Sequence, residues 1–500
     1  MKTGAAEPVA ASGIAGLDDI LRGGFPRECL FLIAGTPGTG KTTLAMQFLL
    51  EGAKRGETCL YVTLSETRPE IEKVARSHGW DLSKVQMAEL VPSEHNLSAD
   101  SHLTVFNPSE VELGETTEAL IAAANTHRPQ RLVVDSLSEL RLIAQNPLRY
   151  RRQVLALKQF FSNRECTVLM LDDRTGGLED DHLQSIAHGV IVLEQLVNQY
   201  GAERRRLRVS KLRGVAFRGG FHDFAIRRGG LDVFPRLVAA EHPADFVEHE
   251  LPSGNAQLDR LLGGGLPAGT STLLLGPAGT GKSTVGTLFA TAAAERGERA
   301  ALFLFDENIG TFRSRSRKLG IPVDRGIDKG LITVQQIDPA ELSSGEFAAI
   351  ARRAADGTDS NGKPAKVIVV DSLNGYLNAM PEEKFLTAQL HELLSFLGQR
   401  GVATILNVTQ TGMVGSMGSP VDTTYLADNV ILFRFFEANG WIRRAISVVK
   451  KRNGYHERTI RELDMNERGL VIGEALEGFQ GILTGVPTYT GQAGTLMEKR

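Results

Sequence analysis

Short apolar runs alternate with longer segments of helical spacing along most of the chain. The runs at 30–34 and 273–275 each precede a glycine-rich loop, and a helical pattern follows each loop. Other apolar runs that end in polar residues lie at 59–64, 131–135, 300–305 and 366–371. Strands that alternate with helices predict parallel sheets covered by helices. We therefore expect an α/β fold with mainly parallel sheets flanked by helices.

The pattern occurs twice along the chain. Segments 12–26 and 253–267 match in order and spacing, and each precedes one of the two loops. The loop lysines Lys41 and Lys282 are 241 residues apart (282 minus 41). That period is too long for a solenoid repeat and matches the size of a whole domain. The sequence predicts two tandem domains, 1–240 and 241–500, that join in the polar, acidic stretch 239–250.

Composition narrows the classes of protein. The 500 residues are 42% hydrophobic and 23% charged, as in ordinary globular proteins. A net charge of −3 argues against nucleic acid as a partner. The sequence has no run of 18 apolar residues, so we expect no membrane span. The N-terminus lacks the apolar core of a signal peptide. Three cysteines without metal-ligand spacing favour a reducing, cytoplasmic location.

Both glycine-rich loops fit the pattern G-x-x-x-x-G-K-[ST] between a strand and a helix, which predicts ATP binding. The predicted ATP contacts are Gly35, Thr36, Pro37, Gly38, Thr39, Gly40, Lys41, Thr42 and Thr43 in the first loop, and Gly276, Gly279, Thr280, Gly281, Lys282, Ser283 and Thr284 in the second. The lysines would reach the β- and γ-phosphates, and the Thr42 and Ser283 hydroxyls would bind Mg²⁺. An incidental glycine-rich turn is disfavoured because the context occurs twice.

Acids follow two predicted strands in each copy. Asp135 and Asp371 end apolar strands and fit a second Mg²⁺ ligand, although strands also end in aspartate for no chemical reason. Glu66 in the first copy, and Asp306 and Glu307 in the second, could act as general bases near the γ-phosphate. For Glu66 an alternative stays open, because an acid before a helix is also favoured by the helix dipole.

Cations end a later strand in each copy. The segment Lys211-Leu212-Arg213 parallels Lys450 to Arg452. Two cations on one face of a strand are either exposed side chains without a role or groups that reach a phosphate.

With these motifs, the tandem chain resembles the KaiC family of circadian-clock and clock-like ATPases over about residues 8 to 487. The segments that carry the likeness are Ser12-Gly-Ile-Ala-Gly-Leu-Asp18, Lys211-Leu-Arg-Gly214, Arg444-Ala-Ile446 and His456-Glu-Arg-Thr-Ile-Arg461. The resemblance implies tandem RecA-like domains in a hexameric double ring with ATP at the subunit interfaces. It also implies slow ATP hydrolysis in the first ring and autophosphorylation in the second.

The resemblance also implies roles for single residues. Lys211, Leu212 and Arg213 would contact ATP bound by the neighbouring subunit in the first ring. Lys450 and Arg452 would do the same in the second ring, as trans-acting charges. Ser77 and Arg444 would be further nucleotide contacts.

The chain departs from the family pattern at several positions. Members of the family carry two adjacent glutamates after the second strand, whereas this chain has Ser65-Glu66 and Asp306-Glu307. The family's adjacent Ser and Thr phosphoacceptors fall on Thr424 and Tyr425, or on Thr423 and Thr424 after a slip of one residue. Thr424 is the predicted acceptor in either case, and the alternative is a loop edge without chemistry.

The motifs predict a Mg²⁺-dependent ATPase, and the resemblance implies that it is also a serine/threonine autokinase and forms a homo-oligomer. A KaiB-like or other signalling protein is the expected partner, in a circadian, hourglass or stress-signalling role. A conformational switch without kinase activity is one alternative. A RecA- or RadA-type DNA-repair ATPase is another, although the chain has no basic stripe.

Overall fold

The computed structural model describes residues 8–90, 108–162, 164–174, 181–197, 201–378, 386–410, 426–438, 440–483 and 487–490. The chain divides into two compact units, 1–236 and 237–500. The observed division lies a few residues before the one expected between residues 240 and 241. Ala239 in the predicted join is buried, and its backbone N–H donates to Glu392 Oε2 at 2.9 Å, within the second unit.

A nine-stranded sheet forms the centre of the first unit. In spatial order its strands are Gly230–Phe234, His222–Arg227, Arg204–Leu212, Gly189–Leu196, Leu30–Gly35, Thr167–Asp173, Arg131–Asp135, Cys59–Thr63 and Gln86–Glu89. The last six are mutually parallel, and the first three continue the sheet in antiparallel fashion. Its helices are Ala15–Ile20, Lys41–Lys54, Arg68–His78, Pro108–His127, Leu137–Ala144, Pro147–Ser162 and Asp181–Ile186.

The second unit repeats this sheet. In spatial order its strands are Ile332–Gln336, Arg299–Leu304, Ala365–Asp371, Ala403–Thr409, Ser271–Gly276, Asn429–Ala438, Trp441–Lys451, Arg461–Asn466 and Gly469–Ala475. Its helices are Ala239–Glu241 (3-10), Ala256–Leu261, Lys282–Glu295, Ile309–Lys318, Val323–Asp328, Ser344–Asp356, Leu373–Asn378 and Leu386–Gln399. Three two-stranded pairs complete the described chain: Val9–Ala10 with Phe25–Pro26, Glu250–Leu251 with Leu266–Pro267, and Phe479–Gln480 with Thr488–Tyr489. The predicted α/β class is confirmed.

The apolar strands are buried on both faces, so each one feeds two cores. In the strand Leu30–Gly35, Phe31 and Ile33 pack into one core, whereas Leu30 and Leu32 pack into the other. In the second unit, Leu274 likewise packs into one core, whereas Leu273 and Leu275 pack into the other. Each such side chain contributes about 1.5–3 kcal/mol when buried. Burial on both sides explains why these strands read as continuous apolar runs.

The repeated Ser-Gly-x-Ala-x-Leu-Asp segments have a structural cause. The backbone N–H of Ser12 donates to Asp18 Oδ1 at 2.8 Å, and that of Ser253 donates to Asp259 Oδ1 at 2.7 Å. The aspartate thereby closes the turn before the short helix in each copy. Leu17 and Leu258, the residues before the two aspartates, are fully buried.

Within the described ranges, no helix combines the length and the apolar character that crossing a membrane would require.

Candidate nucleotide sites

The first phosphate loop joins the strand Leu30–Gly35 to the helix Lys41–Lys54. Gly40 begins the helix at φ +97°, a left-handed conformation in which a side chain would be strained, and a Cβ there would lie 2.8 Å from Ile226. The Lys41 ammonium donates to the carbonyl oxygens of Gly35 at 3.0 Å and Thr36 at 2.9 Å. The Thr39 hydroxyl donates to the same Thr36 oxygen at 2.8 Å. The loop therefore curls around its own lysine.

The second loop has the same geometry. Gly281 lies at φ +106°, and Lys282 Nζ donates to the carbonyl oxygens of Gly276 at 2.8 Å and Pro277 at 2.6 Å. The Thr280 hydroxyl donates to Pro277 at 2.8 Å. Burial lowers the pKa of Lys282 to about 8, and the negative charge of Asp371 opposes this change. Both loops thus present a buried cation at a helix N-terminus, which suits a polyphosphate.

The predicted Mg²⁺ ligands meet in both units. The Thr42 hydroxyl donates to Asp135 Oδ2 at 2.8 Å, and the Tyr61 hydroxyl donates to the same oxygen at 2.6 Å. Burial raises the pKa of Asp135, and the Tyr61 and Thr42 hydrogen bonds oppose that shift. Burial likewise raises the pKa of Asp371, against a hydrogen bond from Ser283.

A hydroxyl beside a carboxylate fits Mg²⁺, which prefers oxygen ligands and takes few of them from the protein. Among the described residues, no group of three or more His, Cys, Asp or Glu side chains forms a metal centre by itself. Thr42 with Asp135, and Ser283 with Asp371, would therefore share the ion with nucleotide phosphates and water.

The two units hold their candidate bases differently. Thr63 pairs with Asp135 and Leu304 with Asp371, so the register places Glu66 in the position of Glu307. Within the described part of the chain, Glu66 Oε2 is buried without a hydrogen-bond partner. Burial raises the pKa of Glu66, and the charge of Asp135 adds to the shift.

In the second unit both acids have partners. Asp306 accepts a hydrogen bond from the Ser372 hydroxyl. Glu307 forms an ion pair with Arg315 at 2.8 Å. A cavity of about 1010 Å³ lies at this place, and its lining includes Lys282, Ser283, Asp306, Glu307, Arg315 and Asp371. The structure thus gathers the candidates of the second copy around one space.

Two charged residues at these sites were not predicted from the sequence. Asp173 lies 2.6 Å from Lys41, and Arg315 contacts Glu307. The strand Thr167–Asp173 ends in two acids, which was the available signal for Asp173. Arg315 is one of several cations on the helix Ile309–Lys318, and nothing in the sequence distinguished it from the others.

The strand cations lie away from the loops of their own units. Lys211 pairs with Val190, which pairs with Leu32, three residues before Gly35. That is about 10 Å along the strand from the start of the loop. Lys450 occupies the same level, because it pairs with Val430 and thereby with Leu273. The bulges in the two strand pairs also coincide.

These cations contact carbonyl and carboxylate oxygens. Lys211 Nζ donates to Gln184 O at 2.6 Å, and Arg213 donates to Ser185 O at 3.0 Å. Burial lowers the pKa of Lys211, and the positive charges of Arg213 and Lys158 add to the effect. Lys450 donates to Ala427 O at 2.7 Å, and Arg452 pairs with Asp428 at 2.9 Å. Leu212, between the first two cations, pairs with Gly189.

The remaining predicted contacts fall in different places. Arg444 Nε donates to the Gly279 carbonyl at 3.2 Å, so this side chain reaches the loop of its own unit. Ser77 is exposed, and its hydroxyl donates to Val74 O at 2.7 Å. Thr423, Thr424 and Tyr425 lie outside the described residues. Nucleotide contact by Ser77 and Arg444 stays a prediction.

The fold and the two loop sites define a tandem RecA-like P-loop ATPase. The chain belongs to the KaiC ATPase family, whose model matches residues 10–238 and 251–477. It is 26% identical to the circadian clock protein KaiC3 of Synechocystis sp., over 96% of this chain and 95% of that protein. It is 27% identical to the circadian clock oscillator proteins KaiC of Picosynechococcus sp. and Synechococcus elongatus, each over 95% of this chain and 91% of the relative. The family resemblance inferred from the motifs is confirmed.

Proposed function

We propose that this chain is a Mg²⁺-dependent ATPase whose second domain also phosphorylates its own chain, in a KaiC-like signalling or timing system. The observation that carries the proposal is the cavity in the second unit. It combines a buried phosphate-loop lysine, a hydroxyl–carboxylate pair that fits Mg²⁺ and two strand-end acids. Those are the groups that phosphoryl transfer from ATP requires.

The proposed transfer uses the groups as they stand. Lys282 neutralises charge on the β- and γ-phosphates, and Ser283 with Asp371 would hold Mg²⁺. When bound, the ion would screen the charge that develops on the phosphoryl oxygens. Glu307 accepts the proton of the Thr424 hydroxyl, whose oxygen forms a bond to the γ-phosphorus. The bond from that phosphorus to the β,γ-bridging oxygen breaks, and ADP leaves.

In the first domain the proposed acceptor is water. Glu66 follows the strand Cys59–Thr63, and Ser65 stands where the family has a second glutamate. Its raised pKa suits a group that takes a proton and later returns it. We propose that Lys211 and Arg213 complete the first site, and Lys450 and Arg452 the second, from the neighbouring subunit of a hexameric double ring. Lys211 and Lys450 lie about 10 Å along the strand from the loops of their own units, which supports action in trans.

The closing test is the intact mass of the protein after incubation with Mg·ATP, compared with Mg·ADP. We expect one added phosphate, which maps to Thr424, or to Thr423 after the one-residue slip. Thr424→Ala and Glu307→Gln should abolish the gain, whereas the matched change Glu66→Gln should preserve it and reduce ADP release. No gain in mass from Mg·ATP would overturn the autokinase proposal.

Further measurements separate the alternative functions and test the assembly. A conformational switch without kinase activity predicts ADP release with no phosphate on the chain. A DNA-repair ATPase predicts salt-dependent retardation of DNA in a gel, against the net charge of −3. Native mass spectrometry with ATP tests the ring, for which we expect six subunits. The proposed KaiB-like or other signalling partner is expected to bind one phosphorylation state in preference to the other.

A further inference from the structure

An ion pair occupies the first phosphate loop. Lys41 Nζ lies 2.6 Å from Asp173 Oδ1, and the two side chains are 7% and 27% exposed. The same ammonium donates to the carbonyls of Gly35 and Thr36. The cation expected to receive nucleotide phosphates therefore already has an anionic partner.

The fold holds Asp173 at this place. Gly35 pairs with Asp173 in adjacent parallel strands, and the N–H of Arg174 donates to Gly35 O at 3.1 Å. The Ser136 and Ser138 hydroxyls donate to Asp173 Oδ2 at 3.3 and 3.2 Å. Since both backbone and carboxylate are anchored, the negative charge stays beside the loop when the ammonium moves to a phosphate.

The second unit lacks this carboxylate. Thr409 is the register equivalent of Asp173, because it pairs with Gly276 as Asp173 pairs with Gly35. Asn374 fixes Thr409 through two hydrogen bonds, at 2.7 and 2.9 Å. Among the residues that the structure describes, no carboxylate lies within 4.0 Å of Lys282 Nζ, and its partners are two carbonyl oxygens. The two loops are alike in geometry and differ in counter-ion.

We propose that Asp173 is a specificity-determining residue that weakens the binding of polyanionic nucleotide to the first loop and so sets the affinity difference between the two domains. An incoming triphosphate must replace Asp173 on Lys41 and then lie close to the displaced carboxylate. The repulsion between these like charges opposes binding, because only a few ångströms separate them in a site partly shielded from water. Metal-free ATP, which carries the highest charge, experiences the largest penalty.

The inference rests on ATP binding by the first domain and not on autophosphorylation. The experiment titrates the full-length protein with the fluorescent analogue mant-ATP in EDTA, in a Lys282→Ala background that silences the second loop. We expect Asp173→Asn to bind about tenfold more tightly than the background protein, by removal of one nearby charge. The gain should shrink at high salt and when Mg²⁺ lowers the charge of the nucleotide.

Three further variants accompany this measurement. Glu51→Gln removes an acid that pairs with Arg55. Glu51 lies on the same helix as Lys41, ten residues later and about 15 Å away along the axis. It should leave the affinity unchanged. In a Lys41→Ala background, Thr409→Asp should weaken mant-ATP binding by the second loop about tenfold. Asp173→Thr, which carries the residue of the second copy, guards against a folding defect peculiar to asparagine.

The outcomes are distinct. Equal, measurable affinities of the background protein and both Asp173 variants would overturn the inference and leave the proposed function standing. Weaker binding by both variants would also overturn it, since Asp173 would then help to place Lys41 for phosphate. Absence of binding in the background protein and in the Asp173 variants, with Mg²⁺ as well as in EDTA, would overturn ATP binding by the first domain together with the inference.

Discussion

Arg315 donates two hydrogen bonds to the carboxylate of Glu307, from Nε at 3.2 Å and from Nη2 at 2.8 Å. A bidentate pair of this kind fixes the plane of the carboxylate as well as its distance. Both side chains are about one quarter exposed and line the cavity in the second unit. The pair therefore holds the proposed base of the second domain in one orientation.

Loss of this pair should slow phosphoryl transfer. We expect Arg315→Gln to lower the autophosphorylation rate about tenfold, because Glu307 no longer has a fixed orientation. Arg315→Lys should recover part of the rate, since it keeps the charge and loses the fork. Phosphate incorporation in a Lys41→Ala background measures this. Arg317→Gln is the control, because Arg317 lies on the same helix as Arg315 and pairs with Asp324 at 3.0 Å instead of with Glu307. A higher autophosphorylation rate in Arg315→Gln would contradict this prediction and show that the ion pair slows phosphoryl transfer.

The first domain permits the reciprocal experiment. Val74 lies eight residues after Glu66, as Arg315 lies eight after Glu307, and it is 38% exposed. Because its pKa is raised, Glu66 is protonated at a higher pH than an ordinary glutamate. If Glu66 is the proposed base, ATPase activity is lost at that higher pH. Val74→Arg should lower that pKa and move the acid limb of the first-domain pH–rate profile to lower pH.

A neutral substitution at the same position controls for side-chain bulk. Val74→Gln should leave the acid limb in place, with both variants assayed for ADP release in a Lys282→Ala background. If Val74→Arg does not shift the acid limb of the pH–rate profile, protonation of Glu66 is not the cause of that limb.

Folding stability should depend on His222. This residue is 1% exposed; its Nε2–H donates to Arg218 O at 3.0 Å, and its Nδ1 accepts from the Arg236 N–H at 2.9 Å. Burial lowers its pKa to about 4 from the ordinary 6.5. The unfolded chain therefore binds this proton first as the pH falls. The stabilisation is present above about pH 6.5 and declines by on the order of 3 kcal/mol towards pH 4.

Denaturant unfolding of the protein and of His222→Gln across this interval measures that loss. The variant is expected to be less stable at neutral pH and to show a weaker decline. His127→Gln, at the end of the helix Pro108–His127, should retain the full decline. Identical pH dependence in all three proteins would contradict the assignment to His222.

Mixed oligomers test whether Lys211 acts across a subunit interface. In a Lys282→Ala background, we expect neither Lys211→Ala nor Lys41→Ala to hydrolyse ATP at the first site. After subunit exchange in equal amounts, an intact site forms where a Lys211→Ala subunit receives Lys211 from a Lys41→Ala neighbour. Random mixing should then restore about one quarter of the ATPase rate of the Lys282→Ala background protein. No recovery after verified exchange would place Lys211 in the same subunit as the loop that it serves.

Much of the fold and part of the sites followed from local sequence. The phosphate loops are predictable because the strand, the glycines and the lysine lie within a few residues of one another. Asp135 and Asp371 were predictable because acids at the ends of parallel strands meet at one edge of a sheet. The repeat added weight, since each feature occurred twice at the same spacing.

The sequence by itself determined the two α/β domains, the loops and the acids at the strand ends, because these depend on apolar periodicity and short motifs. Only the tertiary structure decided which charges pair. Lys41 and Asp173 are 132 positions apart (173 minus 41), and they meet because the strand Thr167–Asp173 lies next to Leu30–Gly35 in the sheet. Ion pairing depends on separations of a few ångströms, which the order and register of the strands set. Two loops with the same motif therefore acquired different counter-ions.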